Sequence, residues 1–232
     1  MISAIEEGYA EHNGHVDATF AHHTVPQEKV MKIYSSSTAP NPRRVRVFLA
    51  EKGIQVPYEE VDIAKAVNRG PEFRKKNPLA TVPVLELDDG TCISESVAIC
   101  RYFEELHPSP ALFGVNVKDR ALVEMWNRRI EFAVLQPIAD AFRQRHDFFK
   151  GRIRQVPDYA EAQRLNGEDG LSWLDEELAN GRYIAGDKFT IADITAMIAV
   201  DFGRVSKIAI KPEQKNLARW HAEVSARPSA KA

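Results

Sequence analysis

The chain has 232 residues, enough for one large domain or two compact ones, and a formal net charge of −2. This near-neutral balance gives no basic surface of the kind that nucleic acid requires, and no apolar stretch is long enough to cross a bilayer. The two cysteines, Cys92 and Cys100, follow no metal or redox spacing and suit a reducing cytoplasm. We expect both to be core residues, with a disulfide or a nucleophile as the alternatives.

Residues 1–30 are polar and show no periodicity. They have neither a basic start nor an apolar core, so they are not a secretory signal. The sequence predicts a flexible N-terminal extension or a misassigned start before Met31. The alternative is a metal site built on the four histidines of this segment, which are His12, His15, His22 and His23.

Strand and helix patterns alternate after the extension. Residues 31–34 and 56–63 predict strands, and residues 71–76 predict a short helix. A longer helix is predicted between the two strands from Asn41-Pro42, because proline suits a first turn and the apolar residues that follow have helical spacing. Gly53 is expected to end this helix.

A proline stands at an unusual place in the third predicted strand. Pro83 lies between Val82 and Val84, although proline cannot donate to a sheet ladder. A strand that begins at such a proline leaves the N–H and C=O of Val82 free to bond an extended peptide. The alternative is that Pro83 merely begins an edge strand. Residues 82–87 and 91–93 then form a predicted hairpin joined by an Asp-Gly turn.

The pair Glu95-Ser96 follows the hairpin at the start of a predicted helix, which Ser94 is expected to cap. A helix N-terminus has unbonded N–H groups and a partial positive charge, so it can bind a carboxylate. This pair could therefore form the polar half of a binding site whose backbone half is Val82. The alternative is a simple cap, in which Ser94 precedes an acidic first turn and no ligand is needed.

Strand patterns are absent after about residue 116, and helical spacing replaces them. Pro137 is expected to kink or break the first long helical stretch. Thr190 and Asp193 predict a reciprocal cap at the start of a buried helix, which gives Asp193 a structural role and not a catalytic one. The predicted helices cover residues 118–149, 159–180, 191–202 and 213–226.

These patterns predict two domains. The strand-helix-strand unit requires a parallel pair with a right-handed crossover, and the hairpin adds antiparallel strands. We therefore expect a small α/β domain with a four-stranded mixed sheet at residues 31–108. A linker at 109–116 would join it to an all-helical domain at 117–232.

Five segments stand out by their order and spacing: A-P-N-P-R-R-V at 39–45, N-P-L-A-T-V-P-V-L at 77–85, E-S-V-A-I at 95–99, Y-I-A-G at 183–186 and F-T-I-A-D at 189–193. Together they resemble the cytosolic glutathione transferases of bacterial type, across about two hundred residues and both halves of the chain. The resemblance implies a thioredoxin-like N-terminal domain, an all-α C-terminal helical bundle and a homodimer.

The resemblance also implies that an extended glutathione tripeptide binds the first domain as co-substrate, without a metal. Its cysteinyl backbone would bond Val82, the residue before a cis Pro83. Its γ-glutamyl end would bond Glu95 and Ser96, and its glycine carboxylate would bond Arg69. The alternative for Arg69 is a place on a solvated basic face.

The reactive end departs from the common pattern of the family, because Ala39 stands where many relatives have Ser, Cys or Thr. An alanine side chain cannot bond a glutathione sulfur, and a thiol with a pKa of about 8.5 needs help to ionise. The resemblance to the nu-like bacterial transferases assigns this role to Asn41, with Thr38, Ser37 or helix N–H groups in support. The alternatives are an N-cap for Asn41 and a loop hydroxyl for Thr38.

The function that the resemblance implies is transfer of the glutathione thiol to a small hydrophobic electrophile. The alternatives are a glutathione-dependent disulfide or peroxide reductase, and a non-catalytic protein that binds glutathione or another ligand. The second substrate would lie between the domains against the long helices, where the candidate lining residues are Trp126, Arg129, Phe132 and His146.

Overall fold

The computed structural model describes residues 30–232, so the predicted extension with its histidines lies outside the described residues, apart from Val30. The strands are β1 (Lys32–Ser35), β2 (Tyr58–Glu60), β3 (Val84–Glu86) and β4 (Cys92–Ser94). The helices are α1 (Pro40–Lys52), α2 (Pro71–Lys76), α3 (Ser96–Leu106), α4 (Val117–Ile130), α5 (Gln136–Arg143), α6 (Pro157–Glu177), α7 (Ile191–Gly203) and α8 (Lys215–Ser225). Within this part of the chain, no helix combines the length and the apolar character that crossing a bilayer requires.

The strands form one mixed sheet in the order β2-β1-β3-β4, with β1 and β2 parallel and the other pairs antiparallel. This confirms the predicted four-stranded mixed sheet. Ile33 and Leu85 point to one face and join the main core with apolar residues of α1 and α3. Tyr34 and Val84 point to the other face and pack with Phe73 of α2. Helices therefore cover both faces of the sheet.

The first helix and the second strand differ in how well their bounds were predicted. α1 begins at Pro40 and ends before Gly53, whose φ of 65° closes the helix as expected. β2 is much shorter than the predicted range 56–63, since only Tyr58–Glu60 pairs with β1. β2 is an edge strand with three exposed residues, so pairing on one side sets its length.

The long helical stretch is interrupted at the predicted place but not by a simple kink. Residues 131–135 form a π-helical turn between α4 and α5. Pro137 has no N–H to donate to Ala133, four residues earlier, and a widened turn accommodates the proline ring. α6 packs closely on this turn at Gly170, where a Cβ would overlap the carbonyl of Ala133. The interruption is therefore part of the packing of two helices.

The start of α7 anchors the helical half of the chain. Thr190 and Asp193 form the predicted reciprocal cap. Asp193 is fully buried and also accepts a hydrogen bond from the N–H of Ile184 at 3.0 Å. The capped helix packs against α1. The core of the helical half therefore lies directly against the first helix of the half that contains the sheet.

Ion pairs also tie α1 to the C-terminal residues. Arg43 Nη1 lies 2.6 Å from Asp201 Oδ2 on α7. Glu51 Oε2 lies 2.7 Å from Nη2 of Arg227, which follows α8. The position of α1 therefore depends on contacts from both halves of the chain.

Candidate functional site

The peptide bond between Val82 and Pro83 is cis, and β3 begins immediately after it at Val84. Neither the N–H nor the C=O of Val82 bonds to another residue of the described chain. The loop before it is held by the buried Asn77, whose side-chain amide donates to the carbonyl and hydroxyl oxygens of Thr81 at 2.9 and 2.8 Å. The entry to β3 thus presents one unbonded donor and one unbonded acceptor on an ordered backbone.

The start of α3 differs from its prediction. Ser94 belongs to β4, so the expected cap at Ser94 is wrong, and the acidic first turn is also absent. Glu95 occupies the N-cap position with a φ of 69°, a left-handed conformation that side chains rarely adopt. The N–H groups of residues 96–98 have no partner in the described part of the chain. This helix end therefore offers donors to an anion.

The loop between β1 and α1 carries the predicted sulfur-binding side chains. Ser37 is bonded elsewhere, because its N–H and hydroxyl donate to Glu60 at 2.9 and 3.1 Å. Thr38 is exposed, and its hydroxyl oxygen lies 3.4 Å from that of Ser36. The half-buried side chain of Asn41 makes no hydrogen bond within residues 30–232. Its carboxamide is thus available to a ligand.

Two prolines shape the N-terminus of α1. The N-cap is Ala39, so the alternative that Asn41 caps the helix is wrong. Pro40 and Pro42 have no N–H, and the N–H of Arg43 bonds the carbonyl of Ala39 at 3.3 Å. Among the described residues, Asn41 therefore carries the one unbonded N–H in the first turn of α1.

The sheet brings these segments to one end of the first half. β1 pairs antiparallel with β3 and Tyr34 lies opposite Val84, so the C-terminal end of β1 lies beside the start of β3. The loop that leads to α1 and the Val82-Pro83 bond therefore lie at the same end of the sheet. Arg44 of α1 donates from Nη1 to the hydroxyl oxygen of Ser96 at 2.9 Å, so α1 also meets the start of α3.

Arg69 is tied to the helical half of the chain and not to the other predicted site residues. Its Nη1 donates to the carbonyl of Arg152 at 3.0 Å. Arg152 reaches back from the helical half to the carbonyls of Ile63 and Ala64 at 2.8 and 2.7 Å. No carboxylate in the described part of the chain forms an ion pair with Arg69, so its charge is available to an anionic ligand.

Two other groups with thiol or phenol chemistry are occupied or buried. Tyr34 donates its hydroxyl to Glu86 at 2.7 Å, and hydrogen bonds from Lys76 and Tyr34 lower the pKa of this carboxyl. Cys100 lies fully buried in the main core, and burial raises the pKa of its thiol to about 12. Cys100 is therefore a core residue, as predicted, and not a nucleophile.

The residues predicted to line a second-substrate pocket do not share one cavity. Arg129 and Phe132 line an open groove of about 630 Å³ between α4 and α6. Trp126 stacks on Trp173 of this groove, with ring centroids 6.0 Å apart. His146 lines a separate cavity of about 300 Å³. The structure thus separates His146 from the other three residues.

Arg44 is a residue of this region that the sequence analysis missed. It is only 1% exposed and lies three residues after Asn41, on the same side of α1. Burial lowers the pKa of Arg44, and the charge of Glu131 in the π-helical turn opposes this effect. The spacing from Asn41 was a signal in the sequence, but the partner in α3 depends on tertiary packing.

Known proteins resemble this chain along nearly all of its described length. The family models for the N-terminal and C-terminal domains of glutathione S-transferase match residues 38–106 and 126–228. Glutathione S-transferase 2 of Saccharomyces cerevisiae is 34% identical over 205 residues, which make up 87% of this chain and 88% of that protein.

Solved structures give the same result. A glutathione S-transferase domain-containing protein from Marinobacter aquaeolei VT8 is 39% identical, with a TM-score of 0.82 over 85% of this chain and 98% of that one. Gtt2 from Saccharomyces cerevisiae is 34% identical, with a TM-score of 0.83 over 86% of this chain and 98% of that one. The similarity therefore covers both the sheet and the helical half.

Proposed function

The chain belongs to the glutathione S-transferase family, and we propose that it binds glutathione and activates the thiol for attack on a small hydrophobic electrophile. The observation that carries this proposal is the unbonded backbone of Val82 beside the cis Pro83. An extended tripeptide can add there as a short strand, because its cysteinyl N–H and C=O complement those of Val82.

The two ends of the tripeptide carry charges that the neighbouring residues complement. In our proposal, the N–H and hydroxyl of Ser96 hold the γ-glutamyl carboxylate, and the exposed Glu95 accepts from the ammonium group. Unpartnered N–H groups at the start of α3 support this orientation. Arg69 takes the glycine carboxylate, which its lack of an ion pair within residues 30–232 supports.

We assign stabilisation of the thiolate to Asn41. Its carboxamide and its N–H are both unbonded in the described chain, so one residue can offer two donors to the sulfur. Thr38 is the better of the two supporting hydroxyls, because Ser37 is held by Glu60. Hydrogen bonds to the charged form of a thiol lower its pKa, which is the effect that conjugation requires.

We also propose which part of the chain binds each substrate. Residues 31–108 would bind glutathione, 109–116 would link the domains, and 117–232 would supply the helical wall for the electrophile. The two family models support this division, since one covers residues 38–106 and the other 126–228.

A cytoplasmic homodimer is the assembly that family membership favours, and we propose it for this chain. Light scattering coupled to size-exclusion chromatography tests the dimer, which predicts a mass near twice 26.1 kDa. A single monomeric peak across micromolar concentrations would contradict it. Fractionation of the source cells, followed by immunoblotting, tests the cytoplasmic location.

Two assays on one preparation test the proposed reaction. The first follows conjugation of glutathione to a model aryl halide, and the second follows glutathione-dependent reduction of a small disulfide. We expect conjugation to dominate, because the relatives are named glutathione S-transferases. Dominant disulfide reduction would favour the reductase, and glutathione binding without either reaction would favour a ligand-binding protein.

A further inference from the structure

Arg44 is a buried charge whose hydrogen bonds are incomplete. Its guanidinium is 1% exposed, and Nη1 makes its hydrogen bond to Ser96 at 2.9 Å. Nε and Nη2 have no partner among the described residues. Buried guanidinium groups are ordinarily paired and bonded on most of their five N–H groups, so this arrangement requires an explanation.

The hydrogen bond to Ser96 constrains the serine hydroxyl. A hydroxyl has one proton to donate and two lone pairs that accept. Because Oγ accepts from Arg44, its own O–H remains available, and it has no other partner within residues 30–232. The unbonded N–H groups of residues 96–98 lie at the same helix end. A carboxylate arriving at this end would meet the hydroxyl and the amides together.

The positive charge of Arg44 is also only partly balanced by neighbouring carboxylates. The carboxylate that forms an ion pair with it in the described chain is Glu131, with Oε1 at 3.5 Å from Nη1. Glu131 is partly exposed and shares its charge with Arg128, whose Nη1 lies 3.3 Å from Oε2. A ligand anion near Ser96 would therefore add negative charge beside the buried guanidinium, beyond that of Glu131 and Glu95.

We infer that Arg44 is the positioning residue for the γ-glutamyl carboxylate of glutathione, acting through the hydroxyl of Ser96. Arg44 fixes the serine oxygen as an acceptor on its buried side, which leaves the hydroxyl proton free for the ligand. The neighbouring positive charge strengthens that hydroxyl as a donor. This inference rests on the proposed function, in which Ser96 binds the same carboxylate.

A purely structural role for Arg44 makes a different prediction. If the guanidinium only joins α1 to the π-helical turn through Glu131, its loss should alter folding stability and affect every ligand equally. If it acts through Ser96, its loss should affect those ligands that carry the γ-glutamyl carboxylate. A pair of ligands that differ in this carboxylate alone separates the two roles.

The experiment measures affinities by calorimetry for glutathione and for 4-aminobutanoyl-cysteinyl-glycine, which lacks only the α-carboxylate of the glutamyl residue. The variants are Arg44→Gln, Ser96→Ala and the double variant, with Glu131→Gln as the comparison for the ion pair. We expect Arg44→Gln to weaken glutathione binding about tenfold and to leave analogue binding within about twofold. The double variant should bind glutathione no more weakly than Ser96→Ala alone. Both changes interrupt the same chain of hydrogen bonds from Arg44 through Ser96 to the carboxylate.

The outcomes that overturn the inference are distinct from those that overturn the proposed function. An equal loss for both ligands in Arg44→Gln, or no loss for either, overturns the positioning role while the wild type still binds glutathione. A wild-type protein that does not bind glutathione overturns the proposed function and this inference together. A Glu131→Gln variant with the same ligand-selective loss as Arg44→Gln would assign the effect to the ion pair and overturn the role of Ser96.

Folding of the variants is checked by circular dichroism and thermal unfolding. If Arg44→Gln does not fold, Arg44→Lys is used, because it keeps the charge but cannot reproduce the planar donor. A loss in Arg44→Lys that is confined to glutathione supports the inference, and an equal loss for both ligands overturns it.

Discussion

Trp220 of α8 donates its indole N–H to the buried carboxylate of Asp193, with 2.9 Å between Nε1 and Oδ1. The same carboxylate accepts from the N–H groups of Ile184 and Thr190. One side chain therefore holds together the start of α7, the segment before it and the last helix. Both carboxylate oxygens accept hydrogen bonds inside the protein and Asp193 is fully buried, so it is a structural residue and not a catalytic acid.

We predict that Asp193→Ala is strongly destabilising. The change leaves the buried N–H groups of Trp220, Ile184 and Thr190 without their acceptor, so the free energy of unfolding should fall by about 3 kcal/mol or more. Urea unfolding followed by tryptophan fluorescence measures it. Asp187→Ala is the control, because Asp187 is exposed nearby, and it should change stability by less than about 0.5 kcal/mol. Equal effects of the two variants would contradict the role of Asp193.

The same carboxyl predicts a pH dependence. Burial raises the pKa of Asp193 from its ordinary value of 3.8 to about 6, although its hydrogen bonds oppose the shift. Because the folded pKa lies above the unfolded one, the contribution is fully present below about pH 4 and is lost as the pH rises through 6. The stability advantage of the wild type over Asp193→Asn should therefore shrink by on the order of 2–3 kcal/mol between pH 4 and 7. Denaturant unfolding at four pH values checks this, and a constant advantage would show that the carboxyl does not titrate in this range.

The ion pair between Glu51 and Arg227 predicts a pH dependence of stability with the opposite sign to that of Asp193. Burial raises the pKa of Glu51, but hydrogen bonds from Arg227 and Ser229 outweigh burial and leave it below its ordinary value of 4.5. Its contribution is thus present above about pH 4.5 and is lost as the pH falls. Arg227→Ala should lower the free energy of unfolding by about 1–3 kcal/mol at pH 7 and by less at pH 3. Lys231→Ala, an exposed change in the same tail, is the control and should have little effect at either pH.

Glu95 and Ser96 predict the affinity for glutathione. Glu95→Ala and Ser96→Ala each remove a charge-assisted hydrogen bond, so each should weaken the free energy of glutathione binding by about 1.5–3 kcal/mol. Calorimetric titration with glutathione measures the change. Glu105→Ala, an exposed change further along α3, serves as the control and should bind like the wild type. Unchanged affinity in both site variants would remove them from the glutathione site.

The role proposed for Asn41 predicts how a substitution there changes the pKa of the bound thiol. Asn41→Ala removes a side-chain donor from the sulfur but keeps the backbone N–H, so the pKa of bound glutathione should rise toward the free value of about 8.5. The thiolate absorbance in the ultraviolet and the pH–rate profile of conjugation both report this pKa. Thr38→Ala should produce a smaller rise. If Asn41→Ala leaves the profile where it was, the role passes to Thr38 or to the N–H of Asn41.

Local chemistry predicted much of the fold. Apolar spacing located the helices, and Gly53 and the pair Thr190 and Asp193 marked helix ends that the structure confirms. The mixed sheet followed from the order of its strands and from the hairpin turn. These features depend on short-range preferences, which the sequence carries directly.

The features that were missed depend on residues distant in the chain. Ser94 has good capping chemistry, yet the turn out of β4 places Glu95 in a left-handed conformation and sets the helix start at Ser96. The contact of Arg44 with Ser96 spans 52 positions and requires two helices to meet. His146 has helical spacing like the other candidates, but α5 ends at Arg143 and places it at another cavity.

The π-helical turn at residues 131–135 has a consequence for changes in chain length. A π-helical turn holds one residue more than an α-helical turn, so one residue deleted from it would restore the ordinary pitch and leave α4 and α5 in phase. The contacts that would change are those of the widened turn itself, namely the ion pair of Glu131 with Arg44 and the close approach of the carbonyl of Ala133 to Gly170. Relatives that lack this residue would therefore need different side chains at these two contacts, while the packing of α4 and α5 outside the turn is kept.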